Sequence, residues 1–311
     1  MKTDEDPAYP FACEAARRWP DRVRVVIQRG SPGLNAKVNQ LLTLEQEARH
    51  DILLVSDSNV RVQPAYLREI AFHLADPNVA LVTHGIVGSG EERLGSWMDR
   101  LHLASFVTPG MIAPSRILGI GLVVGKSMAM HKADVAALGG FGAYKDVLAE
   151  DYLIGRTIQS KLRRQIRIAH TPVANVSYQV TLAEFYLRYV RWDIIQRKLI
   201  GRFFYGFQIL LNPPALALLA WLLLPTDTRF WAFALICAVK SLADGLSRSR
   251  LEGSRLRLRD CLLTPVKDVV VGGAFLQALV SNTVTWRGNR LRVLRGTKLA
   301  ARPAPVDPNV P

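Results

Sequence analysis

Asp51-Ile52-Leu53-Leu54-Val55-Ser56-Asp57-Ser58-Asn59 decides how this chain is read. Four consecutive aliphatic residues, Ile52 to Val55, are too few for a buried helix and suit a buried β-strand. Polar residues follow at once. In an open α/β sheet, ligands bind beyond the carboxyl ends of the strands. Asp57 at such an end can hold a divalent cation or a ribose hydroxyl; it can equally cap the next turn.

The pattern repeats outward from this stretch. On its N-terminal side, residues 36–49 place Val38, Leu41, Leu42 and Leu44 at helical spacing. Before them come a loop with Gly30, Pro32 and Gly33, a β-branched strand signal at 23–27, and a helix signal at 8–19. On its C-terminal side, helix signals at 63–74, 93–106, 132–138 and 149–160 alternate with strand signals at 80–82, 123–130 and 165–170. Pro64 stands near the first turn of its helix, and Gly139-Gly140 closes the helix at 132–138. This alternation predicts an α/β fold with a largely parallel sheet over residues 1–181.

The character changes after Thr181. Residues 182–202 mix Phe185, Leu187, Val190, Trp192, Ile195 and Leu199 with Arg188, Arg191, Arg197, Lys198 and Arg202. That composition predicts an amphipathic interfacial helix at a membrane surface, or one packed on the first domain. Residues 203–224 then run without a formal charge, about 33 Å as a helix and long enough for a bilayer. Asn212-Pro213-Pro214 interrupts them and predicts a kink or a re-entrant segment. Residues 230–246 and 266–280 are two further candidates, weakened by Lys240, Asp244, Lys267 and Asp268. A basic loop at 247–259 and a basic tail after Trp286 predict a cytoplasmic location for both. Two crossings plus one re-entrant or interfacial segment reconcile these signs, within membrane helices assigned to 203–284. The tail, 285–311, is proline-rich at its end, and 301–311 is expected to be disordered.

Bulk properties narrow the function classes. A formal charge of +14, from 40 basic and 26 acidic residues, fits an anionic partner such as a phosphate-bearing substrate or a lipid surface. RNP, zinc and helix-turn-helix patterns are lacking, so no nucleic acid is expected as partner. Cys13, Cys237 and Cys261 are odd in number and widely spaced, which predicts apolar packing in a reducing compartment and no disulfide framework. The opening residues 1–10 are polar and lack a signal-peptide core.

Three further clusters suggest chemistry. Ala149-Glu150-Asp151-Tyr152 opens a helix, where carboxylates are electrostatically favoured and where one of the pair can serve as a general base. Arg188 and Arg191 stand three apart on one helical face and can grip a diphosphate, or anchor a membrane surface beside Trp192. Asn35 and Lys37 open the helix after Gly33, in a position suited to a phosphate. Gly125-Lys126-Ser127 lacks the leading part of a P-loop, leaving Gly125 and Ser127 as possible contributors. His84 has no Cys/His cluster around it in the sequence, so metal ligation there is not expected.

The ordered set DSN, AEDY and RxxRW, followed by hydrophobic segments, resembles the inverting family 2 and family 21 glycosyltransferases. Within them it is similar to the ceramide glucosyltransferases and to hopanoid-biosynthesis-associated glycosyltransferases. The strings GLNAKVNQL, VVGKSMAMHKADV, LAEDYLIG, RYVRW and TWRGNRLRV extend the likeness over nearly the whole chain. The resemblance implies a GT-A-like nucleotide-sugar-binding domain followed by a helical membrane region. It implies that Asp57 acts through the donor diphosphate and a divalent cation, Mg2+ or Mn2+. Asp151 would be the base, with Glu150 beside it, and Arg188, Arg191 and Trp192 would support the leaving group. The implied partners are a UDP-sugar, glucose or N-acetylglucosamine, a lipid acceptor and the membrane. The implied location is the cytoplasmic inner membrane, multi-pass, with the catalytic domain facing the cytoplasm. A hopanoid acceptor is favoured over ceramide on the Arg- and Ala-rich composition.

Two departures accompany the resemblance. The metal motif reads Asp57-Ser58-Asn59 where many relatives have a second aspartate, so Asn59 offers only a neutral carbonyl. Thr3 falls where the first aspartate is expected, with Asp4 next to it. The first strand of the domain is therefore expected to be missing, and transfer by this polypeptide to be weak. A non-catalytic relative that binds anionic lipid or nucleotide-sugar is the competing expectation.

Overall fold

The computed structural model describes residues 1–90, 92–286 and 288–301. Helix α1 (Tyr9–Arg18) is followed by α2 (Ala36–Glu47), whose N-terminus is capped by Asn35. The Asn35 Oδ1 accepts from the amides of Lys37 at 2.9 Å and Val38 at 3.0 Å, satisfying two donors that a helix start leaves unpaired. The chain continues through β1 (Ile52–Ser56), β2 (Val60–Arg61), α3 (Tyr66–Leu74), β3 (Val79–Ser89) and α4 (Leu94–His102). A π-helical turn (Leu103–Val107) leads into α5 (Thr108–Leu118), then β4 (Ser127–His131), α6 (Lys132–Ala137), α7 (Glu150–Thr157) and β5 (Gln165–Val176).

The five strands lie in the order β1-β4-β3-β5-β2. The α/β expectation holds, but the sheet is mixed. Only β3 and β5 pair in parallel; β4 runs antiparallel to both β1 and β3, and β2 antiparallel to β5. Alternating strand and helix signals say nothing about the direction in which a strand re-enters a sheet, so the largely parallel expectation fails there. The expected strand at 23–27 does not join the sheet. Its Val26 carbonyl accepts from the Met1 amino group at 2.8 Å instead. Two strands are longer than expected, β3 continuing to Ser89 and β5 to Val176. His84 therefore lies inside β3.

Successive residues of β3 point to opposite faces. Leu81 packs with Val38 and Leu41 of α2, Leu53 and Val55 of β1, and Ile154 of α7. Val82 packs on the other face with Tyr66, Ile70 and Leu74 of α3 and with Leu103. The sheet is thus covered on both sides, which explains why β3 is apolar nearly throughout.

Helix α8 (Leu182–Ile200) starts with a capping box in which Thr181 and Glu184 satisfy each other's backbone amides. Phe185, Tyr189, Val190 and Ile194 are buried, and α8 packs along α4 and α12 (Leu258–Val280). This burial packs one face of the helix on the body, while Leu182 and Leu187 on the other remain exposed. Next come α9 (Arg202–Phe207), a 3-10 turn (Gln208–Leu211) and α10 (Pro213–Leu223). The segments Arg202–Leu211 and Pro213–Leu223 are bent by 86° at their junction, so residues 203–224 are not one straight helix. Consecutive prolines remove two amide donors and push Asn212 out of the helical region, to φ −118° and ψ 66°. The Asn212 side chain then accepts from Ala215 N at 3.3 Å and donates to the Asp268 carbonyl at 2.7 Å.

Helix α11 (Asp227–Glu252) and helix α12 are each long and apolar enough to cross a membrane. The charges that weakened these segments in the sequence pair with one another. Lys267 lies 2.9 Å from Asp244 and 2.6 Å from Asp268, and Lys240 also pairs with Asp244. An apolar setting requires this pairing, because an isolated charge there is costly. At the far end of α11, Glu252 accepts from Arg100 of α4 at 2.5 Å and from Arg248 at 2.7 Å, tying the helices to the first domain.

The basic segment after α12, expected as a tail, instead contributes to a three-stranded antiparallel sheet: β6 (Thr283–Trp286), β7 (Asn289–Val293) and β8 (Leu299–Ala301). Its inward residues Val284, Leu291, Val293 and Leu299 join the core around α8. Apart from Ala301 in β8, the expected disorder at 301–311 lies outside the described residues.

Candidate active site

Register builds the first corner of the site. Ser56 of β1 pairs with Ser127 of β4, so the residue leaving one strand, Asp57, lies beside the residue entering the other, Lys126. Asp57 N donates to the Lys126 carbonyl at 3.3 Å. The Lys126 ammonium stands 3.0 Å from Asp57 Oδ2 and donates to Asn59 Oδ1 at 2.8 Å. The other carboxylate oxygen, Asp57 Oδ1, lies 2.9 Å from Lys37 Nζ. Asn59 is oriented by its amide, which donates to Asn175 Oδ1 at 3.0 Å and to the Val176 carbonyl at 3.2 Å.

Lys37 links this corner to the second. Its ammonium donates to the Gly125 carbonyl at 2.6 Å and stands 3.6 Å from Glu150 Oε1. Gly125 N in turn donates to Asp151 Oδ2 at 2.6 Å, and Tyr152 N to Asp151 Oδ1 at 2.7 Å. A Cβ at residue 125 would sit 2.8 Å from Lys37 Nζ and 3.0 Å from Asp151 Oδ2. Glycine leaves room for both groups, whereas a Cβ would press on the Lys37 ammonium and the Asp151 carboxylate. Glu150 is buried and accepts from Asn35 Nδ2 at 2.9 Å, so Asn35 both caps α2 and positions the acidic pair.

The two corners differ electrostatically. Burial would raise the Asp57 carboxyl, but the adjacent Lys37 and Lys126 ammoniums outweigh it and hold the group below the usual carboxylate range. Burial works unopposed enough on Glu150 to push it up to about 7, with the Asp151 charge adding to the effect. Asp151 is also raised by burial, although Lys37 and the amides of Tyr152 and Gly125 favour its ionised form. A carboxylate held by two backbone amides, and raised by burial, has the geometry that a general base needs.

The RxxRW element is divided. Arg188 is committed to the buried Asp99 of α4 at 2.5 Å, and Tyr189 Oη donates to the other Asp99 oxygen at 3.0 Å. It still acts on the first corner: its charge helps lower the Lys126 ammonium, after burial. Arg191 makes no ion pair or hydrogen bond among the described residues, and burial together with Arg188 lowers it to about 10. Trp192 packs edge-on against Tyr189, with ring centroids 5.6 Å apart.

Two expected contributors lie elsewhere. Ser127 is buried behind the sheet, its hydroxyl shared with Tyr66 Oη at 2.7 Å and His84 Nδ1 at 2.9 Å; strand alternation turns it away from the face that Lys126 occupies. Asp4 is exposed and forms no ion pair with the Asp57 cluster. Conversely, the role of Lys126 is hidden in the sequence. Its signal was a lysine directly before a strand antiparallel to the Asp51–Ser56 run, legible only once that pairing is known. Asp99 gave no signal, since its role depends on packing between α4 and α8.

For the divalent cation the donor set is small. Among the described residues no three His, Cys, Asp or Glu side chains cluster as a metal cage. Asp57 Oδ2 and Asn59 Oδ1 nevertheless converge on one point, now filled by the Lys126 ammonium. One carboxylate plus a carbonyl suits Mg2+ or Mn2+ when substrate phosphates and water complete the shell.

Comparison with known proteins bears on this geometry. The family model described as glycosyl transferase family 21 matches residues 1–299. Ceramide glucosyltransferase 1 of Caenorhabditis elegans is 25% identical over 201 residues, covering 61% of this chain and 41% of the relative. Ceramide glucosyltransferase 3 of the same organism is 22% identical over 287 residues, covering 86% and 59%. The chain thus spans 41–59% of the length of these relatives. Among solved structures, the mannosyltransferase PcManGT from Pyrobaculum calidifontis in complex with GDP-Man and Mn2+ is similar with a TM-score of 0.44 and 18% identity, covering 88% of this chain and 74% of that one. S. aureus TarS 1-349 in complex with UDP-GlcNAc is similar with a TM-score of 0.33 and 12% identity, covering 92% and 85%.

Proposed function

We propose that this chain, which belongs to glycosyl transferase family 21, transfers a sugar from a UDP-sugar, glucose or N-acetylglucosamine, to the hydroxyl of a membrane lipid with inversion. The observation that supports this reading most directly is the convergence on Gly125: Lys37 bound to its carbonyl and to Asp57, and Asp151 bound to its amide. In this reading Asp151 takes the proton of the acceptor hydroxyl as that oxygen attacks the anomeric carbon. Lys37 and Lys126 neutralise the departing diphosphate, which Arg191 grips from α8 while Asp99 fixes Arg188 beside it. Asp57 and Asn59 would hold a divalent cation where the Lys126 ammonium now stands, with Lys126 turned to the diphosphate, and that cation would supply further positive charge there. The acceptor is a hopanoid or a sphingolipid, reached from a membrane that α11 and α12 are long and apolar enough to cross. The location that goes with this reading is the cytoplasmic inner membrane, multi-pass, with the catalytic domain on the cytoplasmic side.

Incubation of membranes containing the chain with radiolabelled UDP-glucose or UDP-N-acetylglucosamine, followed by lipid extraction, tests this. Labelled lipid should form, and Asp151→Asn should abolish it. Tight nucleotide-sugar binding without labelling, unaltered by Asp151→Asn, would instead support the non-catalytic reading.

A further inference from the structure

The loop that delivers Asp151 is gripped from two sides. On one side it meets the entry to α2. Asn35 N donates to the Lys145 carbonyl at 2.8 Å, Leu34 N to Asp146 Oδ1 at 2.9 Å, and Asn35 Nδ2 to the Val147 carbonyl at 2.6 Å. On the other side it meets the turn between β7 and β8. Leu148 N donates to the Thr297 carbonyl at 2.9 Å, and Leu299 N to the Asp146 carbonyl at 2.7 Å. Val147 and Lys298 form an antiparallel bridge, and Ala149 N reaches Thr297 Oγ1 at 3.4 Å. Leu148 is buried against Val284, Leu291, Val293 and Leu299 of the small sheet.

Thr297 itself is unusual. It is fully buried, with φ at +59°, directly after Gly296 at +65°. A β-branched residue in the left-handed region is a true outlier, and such strain persists only where surrounding contacts impose it. Here the imposed conformation turns the Thr297 carbonyl and hydroxyl together toward the amides of Leu148 and Ala149, immediately before Glu150 and Asp151. We infer that the C-terminal three-stranded sheet acts as a clasp that positions the catalytic loop, with Thr297 as its positioning residue.

This rests on the reading of Asp151 as the base. The clasp fixes where α7 begins, and therefore the height at which the Asp151 carboxylate stands relative to Gly125 and Lys37. A misplacement of about 1 Å at a catalytic group is enough to cost about a hundredfold in rate. The donor corner at Asp57 is built on β1 and β4 and makes no direct bond to the clasp; the clasp also packs on α8, but through Phe185, Tyr189, Val190 and Ile194 rather than Arg191, so donor affinity should change far less than kcat.

The test uses the full chain in membranes or detergent, with Thr297→Gly and Thr297→Ser. Glycine relieves the backbone strain and removes the hydroxyl, so it need not destabilise the fold; serine keeps the hydroxyl. We expect Thr297→Gly to lower kcat about tenfold or more while donor KM stays within about twofold, and Thr297→Ser to restore most of the rate. Hydrogen exchange gives a readout apart from activity. The amides of Leu148 and Ala149 should exchange faster in Thr297→Gly, with those of β1 and β4 unchanged. Unchanged kcat in Thr297→Gly despite faster exchange at Leu148 overturns the clasp as a positioning device. Equal losses in kcat, donor binding and thermal stability overturn it too, since they report general unfolding. If Asp151→Asn proves fully active, the base assignment itself has failed, a result recognisable whatever the exchange data show.

Discussion

Asp57 and Glu150 are both carboxylates within reach of Lys37, yet they stand in opposite electrostatic states. Asp57 lies at a strand end, clamped between two ammoniums, and stays ionised well into acid. Glu150 lies under the Asp151 loop with Lys37 only at 3.6 Å, and burial pushes it up to about 7. One corner is arranged to concentrate positive charge where a diphosphate would sit. The other buries two adjacent carboxyls, and burial raises both. A division of this kind, two environments shifting like groups apart, separates electrostatic roles from proton-transfer roles.

The largest effect should come from setting the two corners against each other. Asp151→Asn should lower kcat by roughly a thousandfold with donor KM little changed, the loss of a base. Asp57→Asn should raise donor KM by about ten- to a hundredfold, because it leaves Lys37 and Lys126 without their anchor. Steady-state kinetics on both variants decide the matter, and similar kcat and KM changes in the two would erase the distinction drawn here.

A second contrast lies within RxxRW. Arg188→Ala leaves the buried Asp99 carboxylate paired only with Tyr189, which should cost about 3 kcal/mol of stability. Arg191→Ala breaks no ion pair among the described residues and should leave the melting temperature almost unchanged while weakening donor binding. Thermal melts beside nucleotide-sugar titrations measure both. Equal destabilisation by the two substitutions would mean that Arg191 is structural as well.

The smallest effect is the pH dependence of stability, and its sign differs between the corners. The folded-state value of Glu150 lies above its unfolded value, so the folded chain binds the extra proton and stability falls as pH rises from about 4.5 toward 7. Glu150→Gln should therefore stabilise the protein above pH 7, on the order of 1 kcal/mol, and do little near pH 4. Asp57 is shifted downward, so its contribution is present above its unfolded value and is lost as pH falls through the folded one. Asp57→Asn should accordingly destabilise at neutral pH but not in strong acid. Melting curves at several pH values would expose a common slope for both variants, the outcome that contradicts this account.

Much of this is legible in the sequence. The apolar run Ile52 to Val55 marked a strand, and Asn35 and Gly139-Gly140 marked helix ends, because local backbone chemistry decides such features. Of DSN, AEDY and RxxRW, the first two supply Asp57 and Asp151, which Lys37 and Gly125 link, whereas Arg188 pairs with Asp99 and Trp192 packs on Tyr189. Other features left no local trace. Ser127 and Lys126 are neighbours in the chain, and only strand alternation tells that one faces the buried core and the other the site. Asp99 reads as an ordinary helix residue until α8 brings Arg188 and Tyr189 onto it. The basic tail reads as solvated until Leu291, Val293 and Leu299 are seen on one face of a sheet.

By itself, then, the sequence determined most helices, the inner strands at 52–56, 80–82 and 165–170, the apolar segments and the identity of the principal charged groups, since these follow from composition and short-range periodicity. Strand direction, the pairing of Lys126 with Asp57, the burial that lifts Glu150 and the hydrogen bonds from Leu148 and Ala149 to Thr297 were decided by tertiary structure. Each depends on contacts between residues far apart in the chain, and desolvation is a property of the assembled surroundings rather than of any residue.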